Sequence, residues 1–201
     1  MALTIDELVT APRWPLDRTM ALAGRVRGDT LGPWGTNLAK RFGPEALARV
    51  RARLPEGLAI QPVLTERDRV PVCAQLIVTE AIVDEFLAGD MLALLPLIVA
   101  DTRAGIGAIK LTTMRLMGVG NLIRLGPRTF REIHERGEHD VTVASGRAEM
   151  RFAGNPLFGH PTWRVLQIFA TRVLFELVGA RGTVVGDHAG DDAFTAIATW
   201  S

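Results

Sequence analysis

Asp140-Val-Thr-Val-Ala-Ser-Gly146-Arg-Ala-Glu-Met-Arg-Phe152 is the stretch that decides the fold. On one arm Val141 and Val143 alternate with polar residues, on the other Ala148, Met150 and Phe152 do the same, and Ser145-Gly146 lies between. A period of two with one wet face is the mark of an antiparallel hairpin. Gly154-Asn155-Pro156 breaks the second arm, and His160-Pro161-Thr162 opens a helix that Thr162 or His160 is placed to cap. Trp163, Leu166, Ala170, Val173, Leu174 and Leu177 trace one apolar stripe along that helix, and Gly179 stops it. Gly182–Val185 and Ala193–Trp200 read as two closing strands joined by Gly186–Asp192. Two hairpins around one packed helix predict a four-stranded antiparallel sheet with the helix on a face.

Ahead of that unit the chain reads as helix throughout. Residues 1–25 form an arm of weak helical pattern with Pro12, Trp14 and Pro15, in which Trp14 is placed to anchor the arm. Gly28-Asp29-Thr30 offers an N-cap before Leu31, Trp34, Leu38 and Phe42, and Gly43 ends that helix. Pro44 suits the first turn of the next, which runs through Leu47 and Val50 to Leu54-Pro55 and gives way to a connector, Glu56–Arg69. Pro71–Ala88 is apolar nearly all round, which predicts a central, covered helix. Met91–Met117 continues in that character, and Gly105 and Gly107 either kink it or let another backbone approach closely. Gly118-Val-Gly120 separates it from a more polar segment, Asn121–Gly137. The fold class is α+β, an N-terminal helical bundle packed on the C-terminal sheet, with residues 26–201 as a single domain.

A chain of 201 residues, 48% hydrophobic and 22% charged, has the makeup of one globular domain with a real core. Its 23 basic residues are scattered among 22 acidic ones for a net charge of +1, without the basic stripe that nucleic acid requires. The lone Cys73 excludes an intrachain disulfide and reads as a small core residue, in keeping with a reducing, cytoplasmic setting. The N-terminus has neither the basic nor the apolar region of a secretion signal, and the apolar run Met91–Ala100 is too short to span a bilayer.

Candidate chemistry is thin, and no catalytic residue, metal site or enzymatic activity is expected. His134-Glu-Arg-Gly-Glu-His139-Asp140 collects imidazole and carboxylate, but Gly137 divides the histidines and a solvated helix end is the better reading. Asp187, His188, Asp191 and Asp192 offer hard ligands without the spacing of a calcium loop, and read as a polar hairpin turn. Gly118-Val-Gly120 and Gly105-Ile-Gly107 neither follow a strand nor complete a dinucleotide pattern, and no Gly-x-Ser-x-Gly elbow occurs. Glu80, Asp84, Asp101, Arg103 and Lys110 interrupt the two most apolar helices, so they mark either a wet side or a cavity. Glu80 and Asp84 are four apart and face alike, which suits an exposed stripe.

Val26-Arg-Gly-Asp-Thr-Leu31, Arg41-Phe-Gly-Pro-Glu-Ala-Leu47 and Arg53-Leu-Pro55 are followed in order by Leu125-Gly-Pro-Arg128, the hairpin, the long helix and a strand ending in Trp200. In that order they resemble a group of bacterial, notably myxobacterial, proteins over Val26–Trp200. The group is similar in turn to the four-vinyl-reductase domain and, more remotely, to haem nitric-oxide/oxygen-binding domains and the small TRAPP subunits. The resemblance implies an apolar cavity between helices and sheet for a small hydrophobic ligand, haem or an acyl chain, often in a dimer. Zinc-binding relatives use cysteines in and near the final hairpin, and here that hairpin has none. Haem relatives carry a proximal His and a Tyr-x-Ser-x-Arg motif, whereas this chain has no Tyr. His134 is placed in the helix before the hairpin, too near the strand for the proximal position. No cofactor is therefore expected, with haem as the lesser alternative.

A cavity of that kind would be lined by Cys73, Ile77, Met114, Met117, Leu166, Phe169 and Val173, residues that serve equally well as ordinary core. The resulting expectation is a non-catalytic, cytoplasmic sensory or regulatory domain that binds a small apolar ligand and acts through a homodimer or a protein partner. A ligand-free scaffold module is the alternative.

Overall fold

The structure, a computed structural model, describes residues 3–201 apart from the side chains of His188 and Ala189. Among the described residues the helices are α1 Ile5–Val9, α2 Leu16–Met20, α3 Trp34–Phe42, α4 Ala46–Arg51, α5 Val72–Phe86, α6 Leu94–Gly105, α7 Ala108–Arg124, α8 Gly126–Ile133 and α9 Pro161–Val178. The strands are β1 Arg25–Arg27, β2 Arg69–Pro71, β3 Glu138–Ala144, β4 Arg147–Ala153, β5 Gly182–Ala189 and β6 Phe194–Trp200. Two compact units share the chain. One comprises the stretch up to Trp14, Leu95–Arg131 and Arg136–Ser201; the other comprises Pro15–Leu94 and Glu132–Glu135.

The first unit is built on the expected four-stranded antiparallel sheet, in the order β3-β4-β6-β5. Its register sets inward residues in rows: His139 opposite Phe152 and Phe152 opposite Phe194, then Val141, Met150 and Ala196, then Val143, Ala148, Ala198 and Val184. In β4 and β6 these inward residues are buried, as the alternation predicts for a sheet with one covered face. Helix α9 lies on that face, with the Trp163 ring edge-on to Phe152 at 5.0 Å and the Thr171 hydroxyl 3.7 Å from the Met150 sulfur. Pro161 opens α9 where a missing N–H costs nothing. Gly179 closes it in the left-handed region at φ 77°. Arg103 and Arg115 donate to the carbonyls of Glu176 and Leu177, which the last turn of a helix otherwise leaves open.

Several boundaries differ from the sequence reading. The side chain of His160 does not cap α9; a turn at Pro156–Gly159, held by the Asn155 carboxamide accepting from the Leu157 N–H at 3.0 Å, leads into it instead. Burial along α9 extends well beyond the predicted stripe, to Val165, Ile168 and Phe175, while Ala170 is exposed. β5 continues through a bulge to Ala189, so Asp187 lies in a strand and not in a turn. Met91–Met117 divides into α6 and α7. A Cβ on Gly105 or Gly107 would meet nothing within 4 Å, so these glycines break the helix and serve no close approach. Gly118 interrupts α7 at φ 73°, and Gly120 brings that helix within contact of Trp200 and Val143.

The stretch up to Trp14 belongs to this same unit. Leu3 pairs with Gly186 at the edge of β5, Leu8 is buried, and the Trp14 ring lies 5.0 Å from that of His160.

The second unit centres on α5, which is buried nearly all round from Val72 to Val83. The structure adds a feature absent from the sequence reading, a two-stranded antiparallel sheet of β1 and β2. Strands of three residues, Arg-Val-Arg and Arg-Val-Pro, carry too little alternation to announce themselves. Glu132–Glu135 complete it: His134 bridges to Val26, and the Glu135 N–H donates to the Arg25 carbonyl at 3.1 Å. Trp34 opens α3 and its indole donates to the Gln61 carbonyl at 2.7 Å, pinning the loop after α4. Phe42 stacks on Phe86 at 4.3 Å.

Gly159 is pressed against the loop that joins β5 to β6, since a Cβ there would lie 2.2 Å from the Asp191 carbonyl oxygen. Gly159→Ala is expected to destabilise the protein by about 2 kcal/mol in urea unfolding. Gly105→Ala, which meets open space, is expected to change stability by less than about 1 kcal/mol.

Candidate functional site

Alternation along β3 turns His139 inward with Val141 and Val143, at the start of an aromatic cluster. The His139 ring meets Phe152 edge-on at 4.1 Å and lies 5.6 Å from Phe130. Its Nε2 is 3.3 Å from where a Cβ on Gly126 would stand. Both ring nitrogens are buried without a hydrogen-bond partner among the described residues, and so is the indole nitrogen of Trp163. Burial pushes the His139 pKa down to about 4, with the Asp140 carboxylate pulling weakly the other way. The imidazole is therefore neutral at physiological pH. Nothing in its immediate sequence announces burial, because Glu138 and Asp140 flank it; the signal lay in the shared parity of positions 139, 141 and 143.

The seven residues predicted to line a cavity fall into two groups. Cys73 and Ile77 are buried on α5 of the second unit, and burial raises the Cys73 thiol pKa, as befits an inert core residue. In the first unit Phe169 and Val173 are buried on α9, while Leu166 of α9 and Met114 and Met117 of α7 are half-buried. The residues singled out for metal chemistry are dispersed. α8 ends at Ile133, so His134 is not helical as the sequence reading had it; it is a bridge residue of the second unit, whereas His139 stands in β3 of the first. The side chain of His188 lies outside the described residues. Among the described residues no three His, Cys, Asp or Glu side chains are grouped to hold a metal ion.

Of the charges that interrupt the apolar helices, Asp84, Arg103 and Lys110 are exposed, while Glu80 and Asp101 are half-buried. Glu80 and Asp84 therefore do not form a uniformly wet stripe. The sequence reading also overlooked a cleft of about 370 Å3 in the second unit, formed by the end of α4 and the loop after it.

Solved H-NOX domains share the architecture. An oxygen-binding H-NOX domain related to soluble guanylate cyclases matches with a TM-score of 0.58 at 9% identity, covering 87% of this chain and 95% of that one. The fold is H-NOX-like. The Fe(II) unliganded H-NOX protein from K. algicida gives 0.58 at 11% identity over 87% and 96% of the two chains. A mutant H-NOX of T. tengcongensis gives 0.53 at 9% over 87% and 97%. At these identities the likeness is one of fold. No family model and no curated protein matches the chain. No helix among the described residues is long and apolar enough to cross a membrane.

Because the folded pKa of His139 lies near 4 and the ordinary value is 6.5, the unfolded chain binds a proton in that window that the folded chain does not. Stability is expected to fall as pH drops from about 6.5 to about 4, by about 2 kcal/mol after allowance for partial exposure. His139→Phe is expected to remove that share of the loss, read by urea unfolding across the window.

Proposed function

We propose that this chain is a non-catalytic sensory or regulatory domain that takes up a small apolar molecule. The observation that carries the reading is the H-NOX-like fold, shared over 87% of the chain with a domain described as oxygen-binding. Kinship with the bacterial group named above is part of the same proposal, supported by the ordered phrases from Val26 to Trp200. So is a cytoplasmic location, supported by the lone, buried Cys73.

Haem is named for the H-NOX family, and the residues present here do not fit it. The chain has no Tyr, and α6 and α7 contain no histidine. His139, whose two nitrogens are both buried without hydrogen-bond partners among the described residues, is closed in by Phe130, Phe152 and the backbone at Gly126. A ring enclosed at contact distance presents no open face to an iron. The ligand proposed is therefore an apolar molecule without a metal, and its candidate lining is the half-buried set Met114, Met117 and Leu166 together with Phe169 and Val173. Protein purified gently after expression with haem supply is expected to be colourless and to show, in native mass spectrometry, an adduct that leaves on denaturation. A Soret band would overturn the metal-free reading, and a clean apo mass would overturn ligand binding.

One observation favours the scaffold alternative. Ile109 and Leu116 are seven apart on one face of α7 and are 86% and 84% exposed. On that reading the face docks a second copy: light scattering shows a dimer, and Ile109→Lys with Leu116→Lys gives a monomer. A monomeric parent protein removes the reading.

A further inference from the structure

The end of α4 and the loop after it carry three arginines, Arg49, Arg51 and Arg53, and Glu85 of α5 takes up two of them. Arg49 donates to one oxygen of Glu85 at 2.6 Å, and Arg53 donates to the other. Those two guanidiniums hold the Glu85 carboxyl below its usual pKa. Arg51, the last residue of α4, lies two positions from Arg49 and so does not share its face on the helix. It lines the 370 Å3 cleft, and among the described residues its guanidinium makes no hydrogen bond or ion pair.

The rest of the cleft is mostly apolar. Leu58 and Ile60 are buried, while Leu54 and Pro55 are half-buried at its walls. Gln61 also lines the cleft: its backbone carbonyl is fixed by the Trp34 indole, and its side-chain amide has no partner among the described residues. Gly57 lines the cleft with φ 85°, and a Cβ there would meet nothing within 4 Å. The cleft thus joins an apolar surface to one exposed cation and one exposed amide that have no protein partner among the described residues. Its size falls in the usual range for small-molecule sites, roughly 300–1,000 Å3.

We propose that this cleft binds a small amphipathic carboxylate of the medium-chain fatty-acid class, its carboxylate on Arg51 and Gln61 and its alkyl chain on Leu58 and Ile60. A planar guanidinium matches a carboxylate with two parallel hydrogen bonds, and a single cation balances a single negative charge. An amine would meet repulsion at Arg51, and a neutral chain would leave the guanidinium without an anion. The cleft lies wholly within the second unit and does not depend on the apolar-ligand reading given above.

The Trp34 indole N–H is a local reporter, since it donates to the cleft residue Gln61 and is one of four indoles in the chain. Titration of the isotope-labelled protein with octanoate is expected to move the Trp34 indole resonance and the Leu58 and Ile60 amides along one saturable curve. Arg51→Gln is expected to weaken that binding on the order of tenfold, and Ala59→Trp, which fills the cleft, to abolish it. Octanol is expected to bind the parent protein on the order of tenfold more weakly than octanoate does, a comparison that stands even if a variant fails to fold. No saturable shift, a shift indifferent to Arg51→Gln, or octanol binding as tightly as octanoate would overturn the proposal. Shifts confined to Trp14, Trp163 and Trp200 would also overturn it, and would place the ligand in the first unit.

Discussion

Phe152 is the residue on which the sheet unit turns. In the ladder it stands opposite His139 on one side and Phe194 on the other, and across the layer it receives the Trp163 ring edge-on. A slip of one residue in β4 would turn Phe152, Met150 and Ala148 outward together, so this contact also fixes the register of the sheet. Phe130 and Phe158 each pack 5.9 Å from the same ring, tying α8 and the turn before α9 to the cluster. The arrangement has a cost. Both imidazole nitrogens of His139 and the indole nitrogen of Trp163 are buried with no hydrogen-bond partner among the described residues, and each such group destabilises a fold by about 1–3 kcal/mol. A cluster that tolerates this draws its stability from aromatic burial, which for large rings outweighs a few unmet hydrogen bonds.

The hairpin of β3 and β4, α9 and the closing hairpin were legible because each has one covered and one wet face, and an alternating or helical period records that difference. Where the period fails, so did the reading. β1 and β2 are three residues each and hold together through partners distant in sequence, including Glu132–Glu135, which no local pattern can show. The break between α6 and α7 was marked by Gly105 and Gly107, but spacing alone could not separate a kink from a close approach; only the empty space beside both glycines decides it. α9 looked like a single stripe because Thr171 is polar and Val165 and Ile168 fall off the line drawn through Trp163, Leu166 and Ala170, yet all three are buried.

The candidate site was less legible than the fold. The residues named for a cavity are apolar, and an apolar side chain reads the same whether it touches a ligand or its neighbours. Cys73, Ile77, Phe169 and Val173 occupy buried positions, which is all their sequence pattern implied. His139 was considered beside His134 as part of a polar run, but parity along the strand, not proximity in sequence, governs its surroundings. Arg51 gave no signal either. Its unmatched charge becomes visible only once Glu85, far away in sequence, is seen to engage both of its neighbours.

The pairing of Leu3 with Gly186 has a bearing on how the protein comes into being. A ribosome delivers Leu3 long before Gly186 exists, so the residues that cover the β5 edge must wait through nearly the whole of translation for their partner. The second unit, drawn mainly from Pro15–Leu94, is complete in sequence much earlier apart from Glu132–Glu135. Pairings this distant in the chain are slow to form. During synthesis Leu8 and Trp14 remain uncovered until β5 and His160, which they pack near in the finished fold, have been made.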